Sequence, residues 1–160
     1  MRDRIALAAR AACRDPAAIT LIGVAKSQSR ERILAALDAG LTDLGENYVQ
    51  EADEHAALLA GHAVRRHFIG ALQSNKSRPV AESFDWVHTV DRLKIAERLS
   101  AQRPEALPPL AVCLQVRLGD EETKSGVGPD ALPALAAGVA ALPRLALRGL
   151  MALPPEESDV

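Results

Sequence analysis

Lys26 follows the apolar run Ile19-Thr20-Leu21-Ile22-Gly23-Val24-Ala25 and is the first charged side chain after it. A β-rich run that ends in a lysine places the amine at the carboxyl end of a strand. That is the end at which α/β barrels and open α/β sheets build their ligand sites. A primary amine can do what a guanidinium cannot: lose its proton and attack a carbonyl. An unperturbed lysine, with a pKa of about 10.4, is only about 0.04% neutral at pH 7. Burial at an apolar strand end would lower that pKa and enlarge the neutral fraction. Position alone also allows a lysine that lays its stem along the strand end and keeps its charge in water. Lysine is scarce: Lys26, Lys76, Lys94 and Lys124 are the lysines among 19 basic residues.

Further chemistry-bearing residues follow other apolar runs. Gly45-Glu46-Asn47-Tyr48 closes the second run, and His67-Phe68-Ile69-Gly70-Ala71-Leu72-Gln73-Ser74-Asn75-Lys76 spans the third and its loop. Glu122-Thr123-Lys124-Ser125-Gly126 follows the fifth, and Gly149-Leu150-Met151-Ala152 lies in the sixth. Asn47 can reach a ligand held on the adjacent strand, or it can simply occupy a turn. Met151 can line a pocket or fill a core. Lys76 can steer an anion or remain solvated. His67 begins its run, which favours a structural role. Glu122 and Lys124 can pair across their loop, and Ser125-Gly126 would let the backbone approach a ligand. The four histidines, His55, His62, His67 and His88, lack metal-ligand spacing, so no metal site is expected.

Helical and strand periodicities alternate six times. Strands are predicted at 19–25, 41–45, 64–70, 86–90, 110–118 and 145–153. Helices are predicted at 30–39 behind a Ser29 cap, at 49–60 before Gly61, and within 73–83. Two more follow, one capped by Asp91 and stopped by Pro104, the other at 130–142. Short loops between alternating elements imply parallel βαβ units. No G-x-G-x-x-G follows the first strand and no Walker A motif is present, so dinucleotide and P-loop readings lose their support. A doubly wound sheet and part of a (β/α)₈ barrel remain, although a closed barrel usually takes about 250 residues.

The 160 residues suffice for one domain with a core, rich in alanine and leucine and with 2% aromatics. A net charge of −2 and a pI of about 6.1 offer no general attraction to nucleic acid or an anionic membrane. Arg65-Arg66 reads as a solvated strand entry. No apolar stretch reaches membrane-spanning length, and Arg10 interrupts the apolar start that a signal peptide would need. Cys13 and Cys113 stand a hundred positions apart, which fits reduced thiols and a cytoplasmic location.

The segments V-A-K at 24–26, G-E-N-Y at 45–48, H-F-I-G-x-L-Q-x-N-K at 67–76 and K-S-G at 124–126 occur in order over nearly the whole chain. Together they resemble the pyridoxal-phosphate homeostasis family, the YggS/PROSC-like proteins. The resemblance implies a single-domain (β/α)₈ barrel of the alanine racemase type, here residues 1–160 and cut short after about six βα units. It implies pyridoxal 5'-phosphate (PLP) held as a Schiff base on Lys26, with Asn47 and Met151 as further cofactor-binding candidates and no catalytic turnover. The expected partners are PLP and apo-PLP enzymes, with no nucleic acid or membrane. A monomer is expected for the family, and a dimer or aggregate for a shortened chain. The serine-rich and glycine-containing stretches that hold the PLP phosphate after strands seven and eight have no counterpart here. Arg66 stands where the family usually has tryptophan, and Ser27-Gln28-Ser29 replaces a second lysine and proline. Two other functions stay open: a PLP-dependent racemase or decarboxylase of the same fold, or a chain that no longer binds PLP.

Overall fold

Parallel strand pairing sets the architecture. The computed structural model describes residues 1–118 and 125–153. Along these run α1 (Arg2–Ala11), β1 (Gly23–Val24), α2 (Arg30–Asp38), β2 (Asp43–Glu46) and α3 (Val49–Ala56). They continue through β3 (Arg65–Phe68), α4 (Ser77–Ser83), β4 (Trp86–Val90), α5 (Leu93–Gln102), β5 (Leu110–Gln115), α6 (Leu132–Ala140) and β6 (Leu145–Met151). The strands form one parallel sheet in the order β1-β2-β3-β4-β5-β6. A doubly wound sheet reverses its strand order at a switch point. Here every strand lies beside its predecessor, as in the wall of an alanine racemase-like barrel, and among the described residues β1 and β6 are its two edges.

Side-chain alternation divides the sheet into two faces. Phe68, Val87, Val112 and Leu114 turn toward the helices and share the main core with Ala52 of α3, Val80 of α4 and Ile95 and Leu99 of α5. A smaller core joins Ala25 and Leu44 to Ile33 and Leu37 of α2. The register Gly45–His67–Trp86–Ala111 defines the opposite face. Asp43, two residues before Gly45, lies on that face, as does Val24, which pairs with Gly45.

Several elements are shorter than their periodicity predicts. β1 spans Gly23–Val24 rather than 19–25, because its register Gly23–Leu44 would set Ile19 opposite Gly40. There the chain turns at φ 82° and offers no ladder. α3 stops at Ala56 because Leu58 N–H and Leu59 N–H bond back three residues, to His55 O and Ala56 O, and tighten the final turn. Residues 74–76 form a 3₁₀ turn before α4, whose Pro79 lies in the first turn, where a missing N–H costs nothing. Ser29 caps α2 as expected, accepting from Arg32 N–H at 3.4 Å. Asp91 does not cap α5; its carboxylate pairs with Arg92 instead.

Arg66 is not a solvated strand entry. It is half-buried, donating to Ala52 O at 2.8 Å and Ser83 O at 3.1 Å while its guanidinium lies 4.7 Å from the Phe84 ring centroid. An aromatic slot is thereby filled by a cation whose donors tie α3 and α4 to the sheet.

Candidate functional site

The carboxyl ends of β1, β2 and β3 are laced together one residue past each strand. Ala25 N–H donates to Gly45 O and Ile69 N–H donates to Glu46 O, both at 2.9 Å. Lys26 and Asn47 each lie two residues beyond the Val24–Gly45 pair, so the register sets them at one corner of the sheet. Lys26 is exposed, not buried as the sequence suggested. β1 is two residues long and, among the described residues, pairs on one side, so little of the described chain stands over the amine. Among the described residues no carboxylate forms an ion pair with it. Ser27, at φ 57°, then turns the chain toward α2.

Asn47 is half-buried, and its Oδ1 has no hydrogen-bond partner. Gly70 explains how the turn is held: a Cβ there would fall 2.1 Å from Asn47 O, so only glycine lets the β3 backbone close on it. Met151 ends β6, half-buried and in register with Gln115. It belongs to the opposite edge of the sheet from Lys26, so sheet pairing does not bring the two together. Lys76 is half-buried in its 3₁₀ turn rather than freely solvated. Glu122 and Lys124 lie outside the described residues. Gly126, at φ 130°, sits against the protein's own chain, since a Cβ there would meet Arg117 N at 2.8 Å. The close approach expected of Ser125-Gly126 toward a ligand is thus made to backbone.

Farther down the same face runs a buried chain that sequence reading missed. His67 Nε2 lies 2.8 Å from Asp43 Oδ1, and His67 Nδ1 lies 2.9 Å from His88 Nε2. Burial opposes charge on Asp43, but hydrogen bonds from Arg65, Thr42 and His67 outweigh it and hold the carboxyl below its usual range. Burial depresses His67 despite the bond to Asp43. His88 is pushed down to about 4 by burial and by His67. With both imidazoles neutral, the carboxylate can only accept, so His67 donates through Nε2–H. His67 Nδ1 must then accept from His88 Nε2–H. Trp86 stacks on both rings, with centroids 5.6 Å from His67 and 5.7 Å from His88. The available signal was Asp43 within an apolar strand, and Trp86 and His88 two apart on another.

Glu46 faces the helices, with Oε1 2.8 Å from His55 Nδ1, and burial raises its carboxyl above the usual range. It supports the Asn47 turn from behind. Among the described residues no group of three or more His, Cys, Asp or Glu side chains is arranged to hold a metal, and no helix is long and apolar enough to cross a membrane.

Comparison with known proteins places the chain in a family. Residues 4–159 match the family model described as alanine racemase, N-terminal domain. The pyridoxal phosphate homeostasis protein of Pseudomonas aeruginosa is 58% identical over 98% of this chain and 68% of its own length. The chain belongs to the pyridoxal phosphate homeostasis family. A second member, from Escherichia coli, is 52% identical over 99% of this chain and 69% of its own. Among solved structures, PipY of Synechococcus elongatus with PLP bound superimposes with a TM-score of 0.78 at 33% identity, over 98% of this chain and 72% of PipY. An alanine racemase of Clostridium difficile, at 14% identity and a TM-score of 0.67 over 84% of this chain and 36% of its own, shares the fold. Family membership thus agrees with the V-A-K, G-E-N-Y and H-F-I-G segments, which the fold gathers at the carboxyl ends of β1–β3.

Proposed function

We propose that this chain binds PLP as a Schiff base on Lys26 Nζ and takes part in PLP homeostasis as a carrier, without turnover. The observation that carries this reading is the exposed Lys26 amine at the carboxyl end of β1, in a chain 58% identical to a pyridoxal phosphate homeostasis protein. The residues present fit the aldehyde end of the cofactor. Lys26 supplies the amine that a cofactor aldehyde requires, and the unpartnered, buried Asn47 Oδ1 supplies a polar contact from the adjacent strand. Bound PLP would supply an electron sink, and the protein's part would be to hold and orient it. Met151, at the opposite edge of the sheet from Lys26, is kept only as a further proposed cofactor contact.

A carrier suits an open amine better than an enzyme does. Racemase or decarboxylase chemistry needs a positioned acid or base and exclusion of water. His67 is bonded to both Asp43 and His88, and Lys26 stands in solvent. An exposed attachment exchanges readily with solvent and with apo-PLP enzymes, the partners this reading implies. We further propose that residues 1–160 act as one binding unit.

Borohydride trapping after incubation with PLP, followed by peptide mapping, tests the assignment. A pyridoxyl adduct confined to Lys26 and lost in Lys26→Ala is expected. Labelling scattered over Lys76, Lys94 and Lys124, or no labelling, overturns it.

A further inference from the structure

We propose a second small-molecule site, separate from Lys26, that takes a small α-amino acid in its zwitterionic form. A cavity of about 170 Å³ opens at the carboxyl ends of β3, β4 and β5. It is lined by Leu72 and Gln73 from the segment after β3, by Asp91 and Arg92 after β4, by Gln115 ending β5, and by Ser125. The L-Q, D-R and S-G segments therefore converge on one space, for which the Lys26 site has no use. β4 and β5 are separated from β1 by β2 and β3, so the two sites do not overlap through the sheet.

The walls are held and the polar ends remain free. Thr89 Oγ1 donates to Gly70 O at 2.6 Å, which fixes the Ala71–Gln73 wall. Gln115 Nε2 donates to Ser125 O at 3.2 Å, which leaves its Oε1 as an acceptor. Arg92 donates through Nη1 to Asp91 Oδ1 at 2.7 Å and through Nη2 to Leu72 O at 3.3 Å. Among the described residues these are the bonds the two charged groups make, so Asp91 Oδ2 and Arg92 Nε keep bonding capacity.

The lining selects the ligand class. Among the described residues, one carboxylate and one guanidinium, beside two neutral amides, match neither a bare anion nor a bare cation. A molecule with a carboxylate and an ammonium one carbon apart can pair with both, the carboxylate on Arg92 and the ammonium on Asp91. The Asp91–Arg92 pair is partly solvated, with side chains 22% and 49% exposed, so its members can exchange partners at little cost. At about 30 Å³ per water, the space admits about six non-hydrogen atoms. Glycine, with five, and serine, with seven, bracket that size.

The test is a ¹⁵N NMR titration of the full chain with glycine and L-serine, with sodium acetate and methylammonium chloride as single-charge probes. Saturable shifts confined to residues 71–73, 89–92, 115 and 125 are expected. The single-charge probes should bind at least about tenfold more weakly. Asp91→Asn and Arg92→Gln, both at partly solvated positions, should each weaken glycine by about tenfold. Lys26→Ala should leave the titration unchanged. Acetate binding as tightly as glycine, an Asp91→Asn variant with wild-type affinity, or non-saturating shifts spread over the surface each overturn the proposal. Loss of the shifts in Lys26→Ala also overturns it as a separate site. Labelling of Lys26 by PLP is read independently in Asp91→Asn, so failure here leaves the PLP reading standing.

Discussion

Asn47 carries an acceptor that the protein itself does not satisfy, and such a group costs about 1–3 kcal/mol when buried. Asn47→Ala should therefore leave the melting temperature unchanged or slightly raised. PLP affinity should fall by about tenfold. Absorbance titration with PLP alongside thermal melting separates the two effects; lowered stability with unchanged affinity would make Asn47 structural. His88 is the residue that reports on pH. Its folded pKa of about 4 lies below the ordinary value of about 6.5, so the unfolded chain binds more protons between them. Stability should fall as pH drops through that window. Asp43 adds to the loss at lower pH, because its depressed carboxyl stabilises the fold above its ordinary pKa and ceases to do so once protonated. His88→Gln keeps a donor toward His67 Nδ1 and removes one titration. Urea unfolding of that variant should show a shallower pH slope, and an unchanged slope would remove His88 as the cause.

At the scale of elements, the turns that hold the site are glycine-dependent for different reasons. Gly70 is required by contact, because its missing Cβ admits Asn47 O. Gly70→Ala should destabilise the fold by about 1–3 kcal/mol, as overpacking typically does, and should displace Asn47. Equilibrium unfolding together with PLP titration checks both halves, and a neutral substitution would show the β2–β3 corner to be loose. Gly40 is required by conformation, at φ 82° after α2. Ser29 begins that helix through its bond to Arg32 N–H, so Ser29→Ala should cost about 1 kcal/mol. The Ser29 cap was legible beforehand, since caps and apolar periodicity act over a few residues; the Gly70 contact was not, because Asn47 comes from another segment. The misread ends of β1 and α3 were not, because they depend on whether a partner strand reaches that far and on how the last carbonyls are met.

At the scale of the molecule, the sheet formed by the described residues has two edges. β1 and β6 each pair with one neighbour, and Leu150 on β6 is 60% exposed with Leu153 just beyond it at 70%. An unpaired edge with exposed leucines is a template for further pairing. We expect the chain to self-associate, so that its sedimentation coefficient rises with concentration and falls back in Leu150→Lys. A single monomer boundary at all concentrations with a cooperative melt would show that the edges are protected in solution.

By itself the sequence determined the alternation of strands and helices, the place of Lys26 at a strand end and the family to which its segments belong. Each rests on short-range pattern: period two or 3.6, a cap, a glycine, a run of named residues. Only the tertiary structure decided that the Lys26 amine is exposed, and that Asp43, His67 and His88 from three strands share one hydrogen-bonded chain. Only it brought Gln73, Arg92 and Gln115 around one cavity. Alternation assigns a residue to a face, but which residues meet across that face depends on strand order and register, set by pairing between segments about 20 or more positions apart.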